Sequence, residues 1–152
     1  MTSQALATLV VTHRYAIPAE RVFDAFLDVA VARRFLFATA EGEMIESTVD
    51  PRVGGRFVYT ERRPGMGEVR HVGEFLEIDR PRRLVFSFGV PQFDPGMTTV
   101  RIDIRPDGEG CELTLTHEGV APDWAEGSKD GWRRILAGLE PALEGVRAAG
   151  WR

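Results

Sequence analysis

The sequence predicts an α+β domain in which a curved seven-stranded antiparallel sheet wraps around a long C-terminal helix, with two short helices after the first strand. Three observations predict it. Seven segments alternate apolar and polar residues, six of them in succession with turn signals between, as antiparallel strands with one buried face do. Two short stretches of helical spacing separate the first segment from the rest. Trp132, Ile135, Leu136, Leu139, Leu143 and Val146 then recur at the helical period as one apolar stripe. A sheet with one face to hide needs a cover, and the last helix is the only element long enough to supply it.

Leu9, Val11, Tyr15 and Ile17 alternate with Val10, Thr12, Arg14 and Ala16, which is a strand. Pro18 stands where a helical turn can begin, since its missing N–H costs nothing there. Val22, Phe23, Phe26 and Leu27 follow at helical spacing, and a second short helix covers about Val29 to Phe35. Strands are expected over Glu43–Thr48, Phe57–Arg62, Val69–Ile78 and Leu84–Phe88. Two more are centred on Val100–Ile104 and Cys111–Leu115. The joints carry turn residues: Asp50 to Gly55 with its paired glycines, Pro64-Gly65, Asp79 to Arg82, a longer loop from Pro91 to Gly96, and Asp107-Gly108. Ser128 is the expected cap of the long helix. Pro141 inside its stripe removes a backbone hydrogen bond to Ala137, so it should kink or break that helix.

The 152 residues make one ordinary domain, read as residues 8–148 with residues 1–7 frayed. A domain of this size buries roughly 70% of its unfolded surface and needs neither disulfide nor metal. Lys and Arg number 19 against 23 Asp and Glu, a formal charge of −4, which argues against a non-specific nucleic-acid binder. No apolar run approaches a membrane span, and no secretory signal is visible, so a cytoplasmic location and no membrane insertion are expected. Cys111 is the single cysteine, which excludes an internal disulfide and a multi-thiolate metal site. Lys129 is the only lysine and asparagine is absent, a bias that reads as codon usage.

Four stretches carry a family resemblance: Tyr15 to Phe26 (YAIPAERVFDAF), Asp50 to Phe57 (DPRVGGRF), Gly73 to Phe88 (GEFLEIDRPRRLVFSF), and Leu113 to Gly119 (LTLTHEG) followed by Gly131-Trp132. In this order they resemble the START-like, or SRPBCC, superfamily with its helix-grip fold. The branch is the one similar to the C-terminal domain of the activator of heat-shock-protein-ninety ATPase. The resemblance implies a cavity lined by the inner sheet face, the long helix and the junction after the short helices. Relatives include lipid, hormone and polyketide binders, aromatase/cyclases and co-chaperones, so the fold does not name the function. Two departures bear on the cavity. Phe35 and Phe37 stand where many relatives have a tryptophan, and Pro141 interrupts the long helix.

Among candidate functional residues, His13, His71 and His117 show no metal-ligand spacing, and no metal or cofactor is expected. His13 and His117 fall on strands expected to be neighbours. His71 is in phase with Val69, Gly73 and Phe75, so it projects inward if that face is buried. Cys111 has the phase of an inert buried cysteine. Glu41, Glu43, Glu46, Glu61, Asp103 and Glu112 read as solvated, and Arg80, Arg82 and Arg83 as a solvated turn. No nucleophile elbow or phosphate-binding loop is present. Phe35, Phe37, Tyr59, Phe86, Phe88, Phe93, Trp124 and Trp132 can all point at the volume between sheet and helix. The expected ligand contacts are Phe35, Phe37, Tyr59, His71, Phe86, Phe88, Phe93, Trp132 and Leu136. The leading expectation is a binding protein for a small apolar or aromatic ligand, which requires a cavity of a few hundred cubic ångströms. The alternatives are a cyclase- or hydrolase-type enzyme, which needs two interacting titratable groups in the same pocket, and a co-chaperone-like interaction module. A homodimer and a chaperone partner stay open.

Overall fold

The computed structural model describes residues 5–93 and 96–148. Strand β1 (Ala7–Tyr15) leads into helices α1 (Ala19–Ala25) and α2 (Val29–Phe35). Strands β2 (Glu43–Val49), β3 (Arg56–Arg63), β4 (Gly67–Asp79), β5 (Arg83–Phe88), β6 (Thr98–Asp107) and β7 (Gly110–Val120) follow. A 3-10 turn, Pro122–Trp124, then enters α3 (Ala125–Ala137), and α4 (Leu139–Ala148) ends the described chain. Of the segment expected to fray, residues 1–4 lie outside the described residues. Ala7 pairs with Val120.

The seven strands form one antiparallel sheet in the order β1-β7-β6-β5-β4-β3-β2. Consecutive hairpins lay β2 to β7 side by side, and β1 pairs with β7 at the far edge. The connection from β1 to β2 must therefore cross the sheet, and α1 and α2 make that crossing. This puts their apolar faces, including Val22, Phe23, Phe26 and Phe35, into the core beside α3 and α4. Asp28 starts α2 by accepting the Ala30 N–H on its carboxylate (3.0 Å), a cap of about 1 kcal/mol.

The strand register sets the inner face. Tyr59 lies opposite His71, Phe75 opposite Phe86, Leu84 opposite Ile102, and Ile102 opposite Leu115. All of these are buried. His117 is opposite both Val100 and Leu9, which confirms β1 and β7 as neighbours. At the bend after β2, Gly54 has a positive φ of 84°, and the turn is stitched to β4 by bonds between Gly54 N–H and the Phe75 carbonyl and between Phe75 N–H and the Gly55 carbonyl.

The last helix differs from expectation in its cap and in where it is broken. It begins at Ala125, so Ser128 lies inside the first turn and caps nothing. The expected break does divide the apolar stripe into two helices, but it falls at Gly138, whose N–H bonds the Arg134 and Ile135 carbonyls. Pro141 is the third residue of α4, where its missing N–H removes no bond, because helix starts leave those donors free anyway. Tyr15 secures the joint: its hydroxyl donates to the Leu136 carbonyl (2.7 Å) near the end of α3. Among the described residues no helix is long and apolar enough to cross a membrane.

Candidate functional site

The space between sheet and helices is built around Phe37. Its ring lies flat on a platform of two inner-face neighbours, His71 of β4 (centroids 4.6 Å apart, planes 9°) and Phe88 of β5 (4.8 Å, 3°). Phe57 (6.1 Å), Tyr59 (5.8 Å) and Trp132 (5.8 Å) complete its surroundings. Phe37 itself has φ +61°, left-handed backbone that a bulky residue rarely adopts. Such a conformation costs about 1–3 kcal/mol and persists only where the surroundings over-determine it.

The surroundings do so through Glu61. This carboxylate is 1% exposed. It accepts the Thr39 N–H (2.6 Å), the Thr39 hydroxyl (3.0 Å) and Arg63 Nε–H (2.6 Å), while Arg63 Nη2 donates to the Phe37 carbonyl (3.3 Å). The expectation that Glu61 is solvated is therefore corrected. It shares the inward phase of Phe57 and Tyr59, and a half-buried arginine with two loop donors offsets its desolvation. Arg80, Arg82 and Arg83 pair with Asp24, Asp79 and Asp103 at the surface, so that cluster is already neutralised.

Two voids stand out among the described residues. One, between the short helices and β3–β5, is enclosed and holds about 10 Å³. Phe26, Leu36, Phe57, Phe75 and Phe86 are among its walls, with Tyr59. The cavity of a few hundred cubic ångströms was expected between the sheet and the long helix, where Phe37, Phe88 and Trp132 pack together instead. The Tyr59 hydroxyl is buried without a hydrogen-bond partner, at a cost of about 1–3 kcal/mol. Burial pushes its phenol pKa above the ordinary range.

The second void is open and larger, about 120 Å³, at the mouth where α3 begins. Phe88, Thr98 and His117 form its floor, Val90 and Phe93 one rim, and Trp124 and Ser128 the other. Phe93 and Trp124 are about half exposed, and their rings stack on each other (6.1 Å, 19°). Gln92 ties the Phe93 loop to β4, its side-chain oxygen accepting from Arg70 N–H (3.0 Å) and its amide donating to the Glu68 carbonyl.

The floor carries a fixed chain of hydrogen bonds. Trp132 Nε1–H donates to His117 Nδ1 (3.0 Å). Indole only donates, so the His117 proton sits on Nε2, which donates to Thr98 Oγ1 (2.7 Å); that hydroxyl donates to the Phe88 carbonyl (2.8 Å). Burial lowers the His117 pKa to about 4, so the ring is neutral at pH 7. His71 is lowered to about 4 as well, by burial first and by Arg63, against the bond from its ring to the Tyr59 carbonyl (3.1 Å). Cys111 is buried, and burial raises its thiol pKa. Among the described residues no group of three or more His, Cys, Asp or Glu side chains could hold a metal ion.

The nine residues proposed as ligand contacts thus separate into distinct groups. Phe37, Tyr59, His71, Phe88 and Trp132 meet in one aromatic cluster. Phe86 packs behind it against Phe57 (5.4 Å, 90°). Phe35 and Leu136 are core beneath the helix joint, with Phe35 edge-on to Phe26 (5.3 Å, 77°). Phe93 stands apart at the cleft rim. Sequence reasoning missed His117 and Thr98 as floor residues, although the phase of His117 with Leu113 and Leu115 signals an inward side chain.

A family model described as "Activator of Hsp90 ATPase homolog 1-like protein" matches residues 16–144. No curated protein matches the chain. Among solved structures, protein Mll3558 from Rhizobium loti is 29% identical, with a TM-score of 0.76 over 91% of this chain and 97% of its own. Protein CV1439 from Chromobacterium violaceum is 25% identical (TM-score 0.77, 87% and 93%). An AHSA1-like protein from Aeromonas hydrophila shares the fold at 23% identity (TM-score 0.73, 93% and 94%).

Proposed function

The chain belongs to the family of activator of Hsp90 ATPase homolog 1-like proteins, and from that premise we propose that it binds a small aromatic ligand in the open cleft between α3 and the Phe93 loop. The observation that carries this reading is the cleft itself: about 120 Å³, apolar on its walls, with Thr98, His117 and Ser128 as its polar points and two stacked aromatics exposed at its mouth. An apolar cavity of about 150 Å³ holds benzene, and this cleft, slightly smaller but open to solvent, takes one ring at most. Drug-sized ligands need roughly 300 Å³ or more. Binding is favoured over turnover because, among the described residues, His117 is the one titratable side chain on the lining, and both its ring nitrogens are engaged. Acid–base chemistry needs a second interacting group.

A thermal-shift titration with single-ring aromatics tests the reading. A ligand at 100 times its Kd adds about 2.7 kcal/mol, a shift of about 5–10 °C for a domain of this size. Trp124→Ala and Phe93→Ala should each weaken binding about tenfold, with little change in unliganded Tm, because both side chains are half exposed. A flat titration across the ring series, or a shift that both variants retain in full, overturns it.

A further inference from the structure

Resting on the cleft reading, we propose that Thr98 selects the ligand, and that the open cleft takes rings bearing an O–H or N–H donor in preference to rings that carry none. The hydrogen bonds beneath the cleft run in one direction, and that direction decides what its floor can offer. It is set at Trp132. An indole N–H only donates, so His117 Nδ1 accepts it (3.0 Å) and the His117 proton is left on Nε2. Nε2 donates to Thr98 Oγ1 (2.7 Å), and the Phe88 carbonyl takes the Thr98 proton in turn (2.8 Å).

A hydroxyl has one proton and two lone pairs. In Thr98 the proton and one lone pair are committed inside the protein, so a single lone pair is left for a ligand. A ring with an O–H or N–H supplies the donor that this lone pair lacks. A ring with only an acceptor is served by Thr98 only if the threonine proton turns away from the Phe88 carbonyl, and that carbonyl then loses its bond. The other polar side chains on the lining do not make the choice. Both ring nitrogens of His117 are engaged. Ser128, on the rim, has no side-chain hydrogen bond to any described residue, and its hydroxyl can turn to donate or to accept.

Phenol, aniline and fluorobenzene are rings of nearly equal size, of which the first two carry a donor and the third does not. Titrating each into the unaltered protein by calorimetry tests the proposal. Phenol and aniline should each bind about fivefold more tightly than fluorobenzene. Thr98→Val keeps the shape of the side chain and removes its oxygen, so it should bring the affinities together. Thr98→Ser, which restores the hydroxyl, should bring the preference back, and Ser128→Ala should leave the order of the rings unchanged. A preference that survives Thr98→Val, or one that vanishes in Ser128→Ala, overturns the role of Thr98. If Thr98→Val does not fold, the unaltered protein still decides, because fluorobenzene bound as tightly as phenol overturns the proposal without any variant. In that case binding of all three that is weakened by Trp124→Ala leaves the cleft reading standing. Absence of binding by all three overturns the cleft reading and the proposal together.

Discussion

Phe37 concentrates the opposing forces at the residue scale. Its ring is 4% exposed and packs against five other rings, and burial of a phenylalanine is worth about 3–5 kcal/mol against alanine. Its backbone, at φ +61°, costs a non-glycine residue about 1–2 kcal/mol. Packing wins, but the backbone term can be read separately. Phe37→Ala and Phe37→Gly lose the same ring, and only glycine is at ease in this conformation. Phe37→Gly should therefore be the more stable of the two by about 1 kcal/mol by urea unfolding, the reverse of the order at an ordinary site. Equal stabilities would show that the loop relaxes once the ring is gone. None of this was legible in the sequence, where Leu36-Phe37 simply follows the short helix as two more apolar residues. The conformation is imposed from β3 by Glu61 and Arg63, more than twenty residues away in the chain. Glu61 itself was half legible: its phase with Phe57 and Tyr59 pointed inward, but its charge argued for solvent, and only the structure shows Thr39 and Arg63 meeting it.

Among elements, the strands were the most legible, because each buries one face and so writes its register as alternation. The long helix was legible as a stripe with a kink or break at Pro141, but the place of the division was not legible. A joint that keeps both halves facing the core preserves the apolar period, so the stripe runs through Gly138 unmarked. Pro141 attracted the break in the sequence reading, yet it sits in the first turn of α4, beside Glu140, whose carboxylate accepts the Ala16 N–H (3.1 Å). The two readings predict opposite signs for Pro141→Ala. A proline interrupting a helix interior costs about 3 kcal/mol, so replacing it should stabilise. A proline in a first turn breaks no bond and restricts the unfolded chain, so replacing it should destabilise by about 0.4–1 kcal/mol. The structure requires the second outcome in urea unfolding. A gain of several kcal/mol would place the break at Pro141 after all.

For the whole molecule, the sheet topology and its helical cover were legible because one buried face and one long apolar stripe leave few arrangements. The filling of the space between them was not, since alternation marks a core aromatic and a pocket aromatic alike. That filling has a global consequence through the two histidines it buries. His71 and His117 are each lowered from 6.5 to about 4 in the folded chain. In the unfolded chain both return to about 6.5. Between these values the unfolded state binds protons that the folded state refuses, so acid favours unfolding. The neutral-histidine contribution is complete above pH 6.5 and is lost as the pH falls from there toward 4. Each tenfold loss of proton affinity on folding is worth about 1.4 kcal/mol, so each histidine accounts for roughly 3 kcal/mol, a large part of the 5–15 kcal/mol typical of a domain. His117 has a second reason to resist the proton. Its Nδ1 accepts from Trp132 (3.0 Å), and a protonated ring would set two donors against each other there, loosening α3 from β7. Urea unfolding at steps between pH 7.5 and 4.5 should show stability falling steadily below 6.5. His117→Gln should reduce the slope by about half, leaving the part due to His71. A stability that stays level down to pH 4.5 would mean that both rings take up protons in the folded chain without penalty, and that the aromatic interior is open to water.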